Sequence, residues 1–163
     1  MRLARAGGAR VSLDLASVGP LLAGGRTAAL DLVRSVAPDV LFATATELQA
    51  LLGSSGRLAE RAAAADSGLA PIVVVKRGSE GATVACRVDS VAETLRFDVA
   101  TKPIAATDTT GAGDAFDAGF IAGWLAALAA GRSLTLGLRQ AAVAGHRVAA
   151  RQLAARRPEL PLR

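Results

Sequence analysis

The chain has 163 residues, 52% apolar and 20% charged, a composition that supports a folded core and excludes a disordered polypeptide. Its net charge of +5 comes from 17 arginines against two lysines, scattered along the chain, and with no tyrosine and one tryptophan it lacks the clustered basic stripe and stacking platforms of a nucleic-acid binder. The longest uncharged apolar run, residues 118–130, is shorter than the roughly 20 residues of a membrane helix, and a lone cysteine, Cys86, excludes an internal disulfide.

Asp14 interrupts the N-terminal apolar segment that a signal peptide requires, so the expectation is a cytoplasmic chain forming a single domain over residues 1–163. Residues 11–15 alternate like a strand, and Gly24-Gly25 lead into a helix over 27–36 that stops at Pro38. Residues 40–43 read as a second short strand, followed by a helix over 46–52 that ends at Gly53. A turn at 54–56 precedes a polar-faced helix over 57–66, closed by Gly68. Ile72-Val73-Val74-Val75 is a continuous β-branched run of the kind buried on both faces of a sheet, and it marks the sheet centre. Residues 82–88 and 94–99 read as a hairpin or meander. Two helices, 114–130 and 134–154, close the chain around Gly131-Arg132-Ser133. Gly119 and Gly123 mimic a membrane-helix spacing, but Asp114 and Asp117 lie one turn before them, which predicts a buried soluble helix. The alternation of strands and helices predicts an α/β layered sheet.

The most informative stretch is Asp108-Thr109-Thr110-Gly111-Ala112-Gly113-Asp114-Ala115-Phe116. Gly111 and Gly113 let the backbone approach an anion, and the first-turn N–H groups of the following helix, at its positive dipole end, face a phosphate. Asp114 stands where a general base is needed to take the proton of an attacking hydroxyl. On these residues alone a plainer reading stays open, in which Gly111 is a helix-entry turn and Asp114 a charge complementing the helix dipole. Likewise Lys76-Arg77-Gly78-Ser79-Glu80-Gly81 follows the best strand, where an α/β sheet receives ligands, yet also reads as a tight turn.

The run from Asp108 to Phe116, continued by Ala118-Gly119-Phe120, resembles the C-terminal signature of the ribokinase-like sugar kinases, the PfkB carbohydrate kinase family. The resemblance implies a three-layer, Rossmann-like α/β sheet with flanking helices, and ATP-dependent transfer of a phosphoryl group to a sugar or nucleoside hydroxyl. It implies Asp114 as catalytic base, an anion hole at Gly111, Ala112 and Gly113, and a monovalent cation, K+, held near Asp108 and Thr110, whose plainer reading is turn formation by their side chains. It also implies a nucleotide loop through Lys76, Gly78, Ser79 and Gly81. Thr44-Ala45-Thr46-Glu47 stands where the family carries Asn-x-x-Glu, so Thr44 is expected near the nucleotide and Glu47 near Mg2+ through water, with a helix cap as the plainer alternative. Two departures accompany the match: threonine replaces asparagine at position 44, and Leu153-Ala154 replaces a turning glycine beside the cation site.

The resemblance runs from about Val11 to about Arg151 and covers the C-terminal half of a usual family member. The family's N-terminal half, which supplies the sugar site and a β lid, has no counterpart here. Self-association, or pairing with a separate N-terminal half, is therefore expected, with an exposed sheet edge as the physical cause. No nucleic-acid or membrane partner is expected. His146 reads as a structural or surface residue, and Phe120 and Trp124, four apart on one helix, as core.

Overall fold

The β-branched run at residues 72–76 forms the middle strand of a five-stranded sheet. The computed structural model describes residues 5–53, 68–87 and 94–155, divided into two units, Met1–Ala100 and Thr101–Arg163. The predicted turn at 54–56 and helix at 57–66 lie outside the described residues.

In Met1–Ala100 the strands β1 (Ser12–Asp14), β2 (Val40–Thr44), β3 (Ile72–Lys76), β4 (Ala82–Arg87) and β5 (Thr94–Val99) lie side by side in chain order. The first three are parallel, and β3, β4 and β5 continue as the antiparallel meander expected from their spacing. Helices α1 (Val18–Leu22) and α2 (Arg26–Val36) connect β1 to β2, and α3 (Ala45–Leu52) follows β2. This mixed sheet with flanking helices is the α/β architecture predicted, with the apolar run at its centre.

Alternation along the strands sorts the core. Leu41 and Ala43 of β2 share a face with Val73 and Val75 of β3, and they cluster with Ala29 and Val33 of α2 and Leu48 and Leu51 of α3. Phe42, Val74 and Val84 alternate onto the opposite face and are no more than 1% exposed. Each such side chain contributes roughly 1.5 to 3 kcal/mol by leaving water. The sheet's apolar character on both faces follows from these two buried sets.

Two local details depart from the sequence reading. α1 is an extra short helix, entered through Ser17 at φ 61°. α2 ends on Ala37, which takes the left-handed conformation at φ 48° immediately before Pro38. A proline disfavours the right-handed helical region for the residue before it, and here the chain turns through the left-handed well despite lacking a glycine. At Gly53 the predicted stop holds: φ is 69° and its N–H donates to the Gln49 carbonyl at 2.8 Å.

Within Thr101–Arg163, α4 (Ala112–Ala129) and α5 (Leu134–Ala154) form a helical hairpin turned at Gly131. Their contact is built on small residues. A Cβ at Gly119 would lie 2.8 Å from the Ala144 carbonyl, and one at Gly145 would lie 2.9 Å from the Phe116 ring. The Gly119 and Gly123 pair is thus a close helix–helix contact inside a protein. Among the described residues no helix is long and apolar enough to cross a membrane. Phe120 and Trp124 are buried as core residues, and Cys86 is buried in β4.

Candidate active site

The predicted site residues fall in both units, and Asp114 stands in the first turn of α4. Asp108 Oδ1 accepts the Thr110 N–H at 2.8 Å, which closes an Asx turn. The Ala112 N–H donates to the Thr109 carbonyl at 3.1 Å, closing a second turn through Gly111 at φ 75° and ψ 2°. Gly111 is the N-cap of α4, and its left-handed conformation explains why a glycine stands there. Its carbonyl then accepts the first helical bond, from Ala115 at 2.9 Å.

This geometry refines the predicted anion hole. Ala112's amide is committed to the turn. Among the described residues the amides of Gly113 and Asp114 have no backbone acceptor outside the helix, and helix geometry gives first-turn amides none inside it. They lie at the positive end of an 18-residue helix. Asp114, the third helical residue, is exposed, while Phe116 and Asp117, two and three residues later, are buried. The helix presents the carboxylate to solvent while its next turn is anchored in protein.

Phe116 is the anchor. Its ring meets His146 of α5 edge-on, with centroids 5.0 Å apart, and stacks at a tilt 6.2 Å from Phe120. His146 thereby holds the start of α4 against α5, the structural role expected of a single histidine. A side chain on a helix fixed by aromatic packing keeps its geometry better than one on a loop.

In Met1–Ala100 the predicted residues gather at the carboxyl ends of β2 and β3. Thr44 caps α3: its Oγ1 accepts the Glu47 N–H at 3.2 Å, and Glu47 Oε2 accepts the Thr44 N–H at 2.7 Å. This reciprocal capping box realises the plainer reading of Thr44 and Glu47. It also sets how a magnesium ion fits. With Oε2 bound to the backbone, direct bidentate ligation would break the cap, whereas contact through a metal-bound water leaves it intact. Among the described residues no group of three or more His, Cys, Asp or Glu side chains gathers to hold a metal alone.

The loop after β3 is a tight turn with its charges tied down. Gly78–Glu80 form one turn of 3-10 helix, and the Arg77 N–H donates to the Gly81 carbonyl at 2.9 Å. Arg77 reaches Asp98 at 3.5 Å and Glu80 at 3.9 Å, and Asp98 Oδ1 also accepts the Thr83 hydroxyl at 2.7 Å. A Cβ on Gly81 would stand 2.1 Å from the Val99 carbonyl, so glycine is required there by the backbone of β5. Gly78 and Ser79 are exposed at the tip. Lys76 Nζ pairs with Asp14 Oδ2 at 2.7 Å, a partner not anticipated from sequence. The signal was a carboxylate at the end of a parallel strand, but pairing it with Lys76 required the strand order.

The chain is similar to known proteins in sequence and in fold. A family model described as pfkB family carbohydrate kinase matches residues 2–158. An ATP-dependent ribose-1-phosphate kinase from Halopiger xanaduensis is 46% identical over 89 residues, which are 55% of this chain and 26% of that protein. Among solved structures, an adenosine kinase from Sinorhizobium meliloti superposes with a TM-score of 0.72 at 26% identity, covering 98% of this chain and 44% of that one. A fructokinase from Vibrio cholerae O395, solved with fructose, ADP and calcium bound, matches with a TM-score of 0.70 at 25% identity, over 93% of this chain and 47% of its own. The chain therefore spans less than half the length of these relatives.

Proposed function

The chain belongs to the pfkB family of carbohydrate kinases, and from that premise we propose that it carries ATP-dependent phosphoryl transfer to a hydroxyl of a sugar or nucleoside. The observation that carries the reading is an exposed Asp114 in the first turn of α4, after a Gly111 bend, where the Gly113 and Asp114 amides are left without a helical acceptor. Asp114 accepts the proton of the attacking hydroxyl. The Gly113 and Asp114 amides, with the positive end of α4, stabilise charge on the equatorial oxygens of the phosphoryl group in flight. Glu47 would hold a magnesium ion through water while keeping its cap on Thr44, and such an ion would supply neutralisation of phosphate charge.

In this reading Lys76, Gly78, Ser79 and Gly81 contribute to nucleotide binding, Gly78 and Ser79 lying exposed at the loop tip. Asp108 serves as the turn former through Thr110. α5 runs helically through Leu153 and Ala154, where the family turns its chain beside the cation site.

The test is ADP release from MgATP across a panel of ribose 1-phosphate, adenosine and fructose, with Asp114→Asn as control. Turnover with at least one acceptor, lost in the variant, is the expected result, and undiminished turnover in the variant removes the base. A second reading, favoured by threonine at position 44 and its place in the α3 cap, is a non-catalytic nucleotide-binding remnant, or a subunit that needs a separate N-terminal half for transfer. Calorimetry separates the two, since ATP binding without transfer to any acceptor selects the second.

A further inference from the structure

At the carboxyl ends of the parallel strands one cation is already engaged. Lys76 Nζ lies 2.7 Å from Asp14 Oδ2, and the two side chains are only 12% and 23% exposed, so solvent ions screen the pair weakly. Register explains the encounter. Asp14 stands opposite Phe42 across β1 and β2, and Thr44 stands opposite Lys76 across β2 and β3, so all four lie on one face of the sheet. The Lys76 ammonium sits 6.0 Å from the centre of the Phe42 ring. This is the end of an α/β sheet that receives ligands.

The neighbouring cation is held differently. Arg77 has two acidic partners, Asp98 and Glu80, and its planar fork is bound to the meander. Lys76 has a flexible four-carbon stem and rotatable donors, so it can turn from one oxygen to another without moving the backbone. Asp14 is itself steadied by the Ala16 N–H, which donates to its other oxygen at 3.4 Å.

We propose that Asp14 is a further residue of the nucleotide site, a positioning residue that holds the Lys76 ammonium ready and yields it to a nucleotide phosphate. The inference rests on the kinase reading above. Its physical content is a competition between two anions for one cation. Binding of the phosphate is weakened by the fraction of chains in which Asp14 keeps Lys76. Removing the Asp14 charge therefore tightens nucleotide binding. A bridge serving only structure does the reverse, because its loss loosens the strand ends.

Calorimetric titration of MgATP into the full chain separates these outcomes for the wild type, Asp14→Asn, Lys76→Met and the double variant. Asp14→Asn is expected to tighten binding by about three- to tenfold. Lys76→Met weakens it, and the double variant matches Lys76→Met, since Asp14 acts only through Lys76. The double variant leaves no partly buried charge without its partner, so it supplies the folded comparison if Asp14→Asn alone melts. Weaker or unchanged binding by Asp14→Asn overturns the inference, as does any difference between the double variant and Lys76→Met. A wild-type chain that binds no MgATP defeats the kinase reading and the inference together, whereas normal wild-type binding with an unchanged Asp14→Asn defeats the inference alone.

Discussion

The turn before α4 and the strand ends of Met1–Ala100 handle charge in opposite ways. Asp114 is exposed, on a helix anchored by Phe116 against His146. At the strand ends Lys76 is paired with Asp14, Arg77 with Asp98 and Glu80, and Glu47 with the Thr44 backbone. The contrast matches the roles proposed. In those roles a base meets its substrate proton unencumbered, whereas at the strand ends Asp14 competes with an incoming phosphate for the Lys76 ammonium.

The sharpest way to break the comparison is at Asp114. Asp114→Asn keeps the helix start and removes the proton acceptor, and is expected to lower turnover by about 10² to 10⁴-fold with nucleotide affinity nearly unchanged, read by steady-state kinetics beside calorimetry. Next in size, Gly119→Val drives a side chain into the Ala144 carbonyl and is expected to cost about 1 to 3 kcal/mol in denaturant unfolding. It tests whether the close hairpin is what anchors the base.

At the strand ends the expected effects are smaller. Thr44→Ala removes one half of the capping box, at a cost of about 0.5 to 2 kcal/mol, and frees the Glu47 carboxylate from its fixed orientation. A rise in KM for MgATP with little change in kcat would sharpen the assignment of Glu47 to the metal.

Asp39 provides a pH-dependent probe of the same unit. Burial pushes its carboxyl up, but the Val11 N–H at 2.7 Å and the Arg10 guanidinium outweigh that and hold it below the ordinary value of 3.8. A depressed folded value contributes stability that is present above the unfolded value and is lost as pH falls through the folded one. Asp39→Asn should therefore lower the melting temperature at neutral pH and lose that effect progressively below about pH 4. Smallest of all, Ala37→Gly relieves the left-handed strain before Pro38 and is expected to add a few tenths to about 1 kcal/mol of stability.

Much of this molecule was legible in its residues because local chemistry and fold agree. The run at 72–75 can be little else than a central strand, and Gly111 and Gly53 stand where left-handed backbone is needed. Thr44 and Glu47 carried their capping box at the required spacing. Pairings between distant segments were not legible: Asp14 with Lys76 is 62 residues apart, and no periodicity announces it. Nor does sequence distinguish which amides of Gly111-Ala112-Gly113 stay available, since the Thr109 carbonyl captures one of them only once the turn has closed. α1 was missed because its five residues contain both glycine and proline, which read as a loop.

The most direct test of the central claim is a paired measurement on Asp114→Asn and the wild type: single-turnover transfer from MgATP to an acceptor, with nucleotide affinity taken on the same preparations. The account predicts equal affinity and transfer slowed by at least about a hundredfold in the variant. Transfer at the wild-type rate by a folded, ATP-binding Asp114→Asn chain would contradict it.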